Sequence, residues 1–88
     1  MAELLVDEGL AACVNIVPGL TSIYKWQGKL ETGSEVLLLI KTRCEHYGQI
    51  ESRIKSIHPY ELPEIISVPI ENGLKGYLDW IDNSTGKR

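Results

Sequence analysis

Two consecutive β-prone segments, separated by a turn signal, constrain the fold of this 88-residue chain more than any other feature. Residues 20–30 are rich in aromatic and β-branched side chains, and residues 35–42 are rich in aliphatic ones. The sequence Glu-Thr-Gly-Ser at positions 31–34 is typical of a turn between such segments. Because short turns join neighbouring antiparallel strands, we predict a hairpin in which residues 20–30 pair with residues 35–42.

The first strand of this hairpin should begin earlier, at Cys13. Residues 13–17 are β-prone, and Pro18-Gly19 interrupts the run, because proline cannot donate to a ladder and glycine permits a kink. This pattern predicts one long, bent or bulged strand. In the second strand, residues 36–40 are apolar without alternation. Such a run indicates a strand covered on both faces, either in the middle of a sheet or against another subunit.

Helical patterns lie on both sides of the hairpin. Residues 2–9 look like the last turns of an amphipathic helix that Gly9 ends, and Thr42 with Glu45 fits a capping box at the start of a second helix. The apolar positions at helical spacing are Tyr47, Ile50, Ile54 and Ile57 in this second helix, which Pro59 should stop, and Leu74, Tyr77, Leu78 and Ile81 in a third, which Asn72 can cap.

Residues 64–71, between the last two helices, have the composition of a strand. Pro69 inside them argues for a position at a sheet edge. The order is then helix, strand, strand, helix, strand, helix. With one strand in front it becomes the split βαβ or ferredoxin-like plan, an α+β fold with an antiparallel sheet and helices on one face. We predict a single domain over residues 1–82 and a polar tail over residues 83–88.

Charge and cysteine content narrow the function classes. Nine basic residues are scattered among twelve acidic ones for a net charge of −3, which disfavours binding to nucleic acid or to an anionic membrane. The longest apolar run, at residues 36–40, is far short of the roughly 20 residues that cross a bilayer. Cys13 and Cys44 show no paired spacing, so we expect free thiols and a cytoplasmic location.

Three stretches give the sequence a close resemblance to the CutA divalent-cation tolerance family. They are LAACVN at residues 10–15 running into PGLTSIYKW at 18–26, EVLLLIKT at 35–42, and HPYE with PEII at 58–66. The resemblance extends through Trp80. It implies a ferredoxin-like protomer, a tight homotrimer built by long hairpins that pair edge to edge, and a link to divalent metals, chiefly copper. It also implies a shape similar to the trimeric PII signalling proteins.

The chain departs from the family pattern at its N-terminus. Family members begin with a hydrophobic strand and the first half of helix one, and Met1 here falls inside that helix. The ferredoxin-like order would place the missing strand beside residues 36–40, where each buried unpaired backbone group costs roughly 1–3 kcal/mol. Three explanations are open, and we favour a natural chain that is longer. In the other two, residues 65–70 move beside residues 36–40, or another molecule donates a strand. If these residues are all there is, we expect an impaired fold.

Cys13, His58 and Glu64 are the candidate metal ligands, because the family's proposed copper ligands fall on them. A thiolate with an imidazole suits copper or zinc, and a carboxylate adds a harder ligand. Alternatively, Cys13 is an inert core thiol and His58 caps the preceding helix. We find no paired metal-binding motif, and a nucleophilic pair of Cys13 with His58 is disfavoured because a thiol in the middle of a strand is usually inert.

The resemblance also implies a ligand cleft between subunits, near the hairpin. The residues placed there are Tyr24, Lys25, Trp26, Lys41, Tyr60, Glu61 and Trp80. They could hold a small anion or a nucleotide-like ligand, or they could be ordinary surface charge. The resemblance thus implies a trimeric, non-enzymatic protein of copper tolerance. The alternative is a PII-like trimer that signals or docks partners without a metal.

Overall fold

The structure is a computed structural model, and it describes residues 1–57 and 63–85. Two strands form one antiparallel sheet, and the helices lie before and after them. This arrangement confirms the α+β prediction for the hairpin and for the three helices. The elements are α1 (Ala2–Asp7), β1 (Cys13–Trp26), β2 (Lys29–Lys41), a 3-10 turn (Cys44–His46), α2 (Tyr47–Ile57) and α3 (Lys75–Thr85).

The turn of the hairpin lies earlier than the sequence predicts. Trp26 pairs with Lys29, which leaves Gln27 and Gly28 as a two-residue turn with φ of 53° and 80°. Positive φ at both positions is the type I′ geometry, whose twist matches that of the paired strands. The predicted turn at residues 31–34 is therefore wrong. These residues extend the ladder instead, with Gly33 opposite Ser22, because the tighter turn leaves fewer backbone groups unpaired.

β1 is one continuous strand with an irregularity, as predicted. The register of the ladder shifts between Val17 and Leu20. Pro18 lacks the N–H that a ladder needs, and Gly19 has φ of 79°, which side chains rarely allow. The bulge therefore lies at the one place where the sequence can accommodate it.

A small core joins the hairpin to the first two helices. Its fully buried members are Leu5 of α1, Ala11, and Ile50 and Ile54 of α2, in agreement with the predicted apolar face of α2. The side chains packed against them are Leu10, Val14, Ile40 and Ile65. Gly9, with φ of 75°, follows α1 as the sequence predicts.

Thr42 does not cap α2, so the capping-box prediction is wrong. Its hydroxyl donates to the carbonyl oxygen of Leu10 at 2.6 Å, which ties the end of β2 to the loop after α1. The Glu45 carboxylate instead pairs with Arg43, with Nη2 and Oε2 3.3 Å apart. A long-range, half-buried hydrogen bond has replaced the local cap.

The strand predicted at residues 64–71 is also wrong for the part of the chain that the structure describes. These residues pair with no strand there, and neither do they move beside residues 36–40. A strand needs a neighbour for its backbone groups, and the described sheet consists of β1 and β2 alone. Ile65 is anchored, since its carbonyl oxygen accepts a hydrogen bond from the Tyr47 hydroxyl at 2.9 Å.

α3 extends further than predicted. It continues to Thr85, so residues 83–85 of the predicted polar tail are helical. Ile81 and Thr85 are buried. The Thr85 carbonyl oxygen accepts from His46 Nε2 at 2.6 Å and from Arg43 Nη2 at 3.4 Å. These donors satisfy the C-terminal end of the helix, which is why a polar sequence stays helical here.

The molecule is elongated because the hairpin projects beyond the core. Its radius of gyration is 15.0 Å, with principal extents of 45 × 27 × 20 Å. A compact chain of this length has a radius of about 12 Å. The accessible surface is 6995 Å², whereas a compact monomer of this mass exposes about 5,200 Å². Across residues 1–57 and 63–85, no helix has the length and apolar character to cross a membrane.

Candidate functional site

The structure brings three of the candidate residues to one place at the base of the hairpin. Cys13 and Lys41 are directly opposite each other in the ladder, so their side chains share a face. The next pair in the ladder, Val14 and Ile40, points into the core. Because successive pairs face opposite sides of a sheet, the face of Cys13 and Lys41 lies away from the core.

α3 supplies the aromatic part of this region. Lys41 Nζ lies 5.9 Å from the ring centroid of Tyr77, within the usual range of a cation–π contact. The Tyr77 and Trp80 ring centroids are 5.5 Å apart, with an interplanar angle of 35°. We call Lys41, Tyr77 and Trp80 the basal site, and Cys13 borders it.

Backbone and side-chain hydrogen bonds hold the two halves of the basal site in position. The Ala12 N–H donates to the Lys41 carbonyl oxygen at 2.8 Å, which continues the ladder beyond Cys13. α3 is tied at its far end by His46 and Arg43, which bind the Thr85 carbonyl oxygen. Because Arg43 and His46 lie within five residues of the end of β2, the same stretch of chain connects Lys41 to the end of α3.

The Lys41 ammonium has no carboxylate partner among residues 1–57 and 63–85. The ion pairs found there join Arg43 with Glu45, Arg53 with Glu8, and Lys75 with Asp79. Over the same ranges, neither the Tyr77 hydroxyl nor the Trp80 indole N–H has a protein hydrogen-bond partner. The basal site therefore presents one cation and two hydrogen-bonding groups at the edge of two aromatic rings.

The predicted metal ligands are only partly within the described structure. Cys13 is a half-buried free thiol, and Glu64 is exposed. His58 lies outside the described residues, as do Tyr60 and Glu61. Within residues 1–57 and 63–85, no group of three or more His, Cys, Asp or Glu side chains could hold a metal ion. The fit of a metal to the predicted ligand set thus depends on His58.

The residues predicted to line a cleft separate into two groups. Lys41 and Trp80 belong to the basal site, whereas Tyr24, Lys25 and Trp26 lie at the far end of β1. Trp26 follows Cys13 by 13 strand residues, a span of about 40 Å at the usual rise per residue. A single protomer does not bring the two groups together.

Sequence reasoning assigned Tyr77 only to the apolar face of the last helix. Its spacing of three residues from Trp80 places both rings on one side of α3, and this spacing was the available signal. The contact with Lys41 could not be read from the sequence, since it depends on how α3 packs against the end of β2.

Tyr47 shows the clearest electrostatic perturbation of the described residues. Its hydroxyl lies 3.0 Å from Glu51 Oε2 and 2.9 Å from the Ile65 carbonyl oxygen. The hydrogen bond to the Glu51 carboxylate raises the pKa of Tyr47 above its ordinary value of 10.0, with smaller contributions from burial and from the charge of Glu51. The effect stabilises the protonated phenol.

Comparison with known proteins decides the family. The model of the CutA1 divalent ion tolerance protein family matches residues 1–84. The chain belongs to this family. Among curated relatives, the divalent-cation tolerance protein CutA of Thermus thermophilus is 52% identical over 86 residues, covering 98% of this chain and 84% of the relative. The Homo sapiens protein CutA is 45% identical over 85 residues, but this chain spans only 48% of its length.

Solved CutA structures share the fold. The Thermus thermophilus protein superimposes with a TM-score of 0.93 at 53% identity, covering 97% of this chain and 82% of that chain. A protein from Nostoc, described as a PII-like CutA protein, gives a TM-score of 0.87 at 38% identity, with 96% and 82% covered. These likenesses confirm the ferredoxin-like prediction and the resemblance to CutA proteins.

Proposed function

We propose that this CutA1 chain acts as a non-enzymatic divalent-cation tolerance protein that works as a homotrimer and binds copper. The observation that carries the assembly is the exposed apolar surface of the hairpin. Ile23 is 68% exposed, Leu30 is 72% exposed and Val36 is 57% exposed. A lone chain would keep these side chains in water, at a cost of about 25 cal/mol for each Å² of apolar surface.

Apolar side chains lie on both faces of the hairpin. The side chain of Val36 points to one face of the hairpin and those of Leu37 and Leu39 point to the other, because alternate residues of a strand face opposite sides. All three are exposed, as are Tyr24 and Trp26 near the tip. One partner would cover one face and leave the other in water. A closed ring of copies can cover both, which supports a trimer over a dimer.

The charges of the hairpin favour copies of the same chain as partners. Lys25 and Lys29 lie next to the tip, and Glu31 and Glu35 follow further along β2. Both signs are thus present in equal number, so neighbouring hairpins can pair opposite charges without an unlike partner.

Measurement of molar mass by light scattering tests the assembly. We expect a species of three times the 9.9 kDa chain mass. Ile23→Lys should lower the mass, because a charge would then lie in the buried interface. Gln49→Lys is the matched control, since Gln49 is exposed on α2 and lies outside the hairpin. A folded wild-type monomer at micromolar concentration would contradict the proposal.

The proposed copper ligands are Cys13, His58 and Glu64, supported by the names of the CutA relatives as divalent-cation tolerance proteins. Copper at micromolar concentration should raise the melting temperature, because a ligand of the native state stabilises it. Cys13→Ser should reduce that rise, whereas Cys44→Ser, which removes the exposed thiol, should not. An unchanged melting temperature in wild type with both copper and zinc would refute metal binding.

A second function is supported by the basal site and by the PII-like relative. In this alternative the protein binds a small molecule in a cleft between subunits and needs no metal. The Lys41 ammonium, which has no carboxylate partner within residues 1–57 and 63–85, lies over the Tyr77 ring next to Trp80 and supports it. Tyr24, Lys25 and Trp26 of a neighbouring copy would complete the cleft with Tyr60 and Glu61. Cys13→Ala should then leave the function intact.

A further inference from the structure

We infer that the basal site binds a planar aromatic anion, an inference that rests on the second function proposed above. It names the chemical class of the ligand and the residues that select it. Lys41 would bind the anionic group, and Tyr77 and Trp80 would contact the ring.

The charge of the site selects an anion. Lys41 projects from the end of β2 with a cation–π contact to Tyr77 and with no carboxylate partner in the described part of the chain. An ammonium over an aromatic face is partly desolvated and keeps donors free for a second ligand. A carboxylate or phosphate within reach of Nζ would form a charge-assisted hydrogen bond, which is stronger than a neutral one.

The rings select a flat ligand. Tyr77 is 40% exposed and Trp80 is 45% exposed, although large aromatic side chains usually bury most of their surface. Their centroids are 5.5 Å apart and their planes differ by 35°, so the two rings contact each other and present adjoining exposed surfaces. An added ring would gain stacking or edge contact with both.

The polar edges of the rings point to the same ligand class. The Tyr77 hydroxyl and the Trp80 indole N–H have no protein partner within residues 1–57 and 63–85. Both can donate to acceptor atoms on a heteroaromatic or carboxylate ligand. A saturated ring would meet the same cation but would lose the π contacts.

Nuclear magnetic resonance of the two tryptophan indole N–H groups is a direct test on the full chain. The probes are benzoate, cyclohexanecarboxylate as the non-planar anion of similar size, and benzyl alcohol as the neutral aromatic. We expect benzoate to shift the Trp80 resonance and to bind about tenfold more tightly than either of the other two, since a tenfold change in affinity corresponds to about 1.4 kcal/mol. Trp26→Leu assigns the two resonances.

Two variants and a control separate the contributions. Lys41→Met should weaken benzoate about tenfold and leave benzyl alcohol unchanged, since it removes one charged contact. Trp80→Leu should weaken both. Lys55→Met, which removes an exposed lysine of α2, is the control and should change neither. If Lys41→Met leaves benzoate binding unchanged, the inference is wrong.

The outcomes distinguish this inference from the function on which it rests. Equal binding of benzoate and cyclohexanecarboxylate would keep a small-anion site but overturn the aromatic assignment. No response to any probe would overturn both the aromatic ligand and the metal-free function. A comparison of the affinities of adenosine monophosphate and ribose 5-phosphate then identifies the source of the ring. Tighter binding of adenosine monophosphate indicates a nucleotide, and equal binding of the two indicates an aromatic acid.

Discussion

At the scale of single residues, Tyr47 links two segments that the core alone joins weakly. It lies at the first position of α2, and its hydroxyl reaches both Glu51 one turn along the helix and the backbone of Ile65. Ile65 is the anchored end of residues 64–71, whose other apolar side chains are largely exposed. The hydroxyl therefore positions the segment that leads towards α3.

Removing this hydroxyl should lower stability in a way that depends on pH. Tyr47→Phe should lower the melting temperature by a few degrees at neutral pH, because the Ile65 carbonyl loses its donor. The folded-state pKa of Tyr47 is above 10.0, so the unfolded chain loses the proton first. The stabilisation is complete below pH 10.0 and is lost as pH rises through the folded-state pKa. The difference between wild type and Tyr47→Phe should therefore shrink in that range.

Glu51→Gln is the matched control for the cause of the pKa shift. The amide keeps an acceptor near the phenol but carries no charge, so the pKa of Tyr47 should move back towards 10.0. Spectrophotometric titration of the phenols measures this change. If the phenol titrates identically in wild type and in Glu51→Gln, the carboxylate does not cause the shift.

At the scale of elements, the two-residue turn sets the length and pairing of the hairpin. Gly28 has φ of 80° and has open space where a side chain would lie, so the constraint is backbone conformation and not crowding. Gly28→Ala should lower the free energy of unfolding by about 1–2 kcal/mol.

Gly48→Ala offers a control in the opposite direction. Gly48 lies in α2, also with open space around it, and φ there is not positive. Alanine should raise the free energy of unfolding by roughly 0.5–1 kcal/mol because it favours the helix. Chemical denaturation compares the two variants. A Gly28→Ala protein as stable as wild type would show that the turn adopts another geometry.

The elements that local pattern specifies could be predicted, and those that depend on distant partners could not. The apolar spacing of α2 and the Pro18-Gly19 bulge are properties of short stretches. The turn was misplaced because Gln27-Gly28 is a weaker signal than Glu-Thr-Gly-Ser, although the register decides between them. Thr42 and residues 64–71 failed for another reason, since a hydroxyl or a strand takes whatever partner the tertiary structure provides.

At the scale of the whole molecule, the main feature is the large accessible surface of the single chain. The chain exposes 6995 Å², about 1,800 Å² more than a compact monomer of its mass. Its stability should therefore depend on association. We expect the melting temperature to rise by several degrees when protein concentration increases about a hundredfold, by mass action. Differential scanning calorimetry measures this, and a constant melting temperature would indicate that each chain is stable alone.

The candidate site could be predicted only in part at this scale. Lys41 and Trp80 are in the basal site as the cleft prediction requires, but Tyr77 joins them only through the packing of α3 against the end of β2. Tyr24 and Trp26 are too far along the hairpin to reach the same place within one chain. Sequence reasoning therefore supplied the residue types, while their grouping required the three-dimensional structure.

The irregularity at Pro18-Gly19 restricts the register in which the two strands of the hairpin can pair. A uniform ladder of apolar residues could slide by two positions and still present the same alternation. Proline and a left-handed glycine fit at one height only, so every sliding error would place them against intact pairs. The kink thus selects one register of pairing. It ensures that identical copies display their side chains in phase, as surfaces that must match each other require.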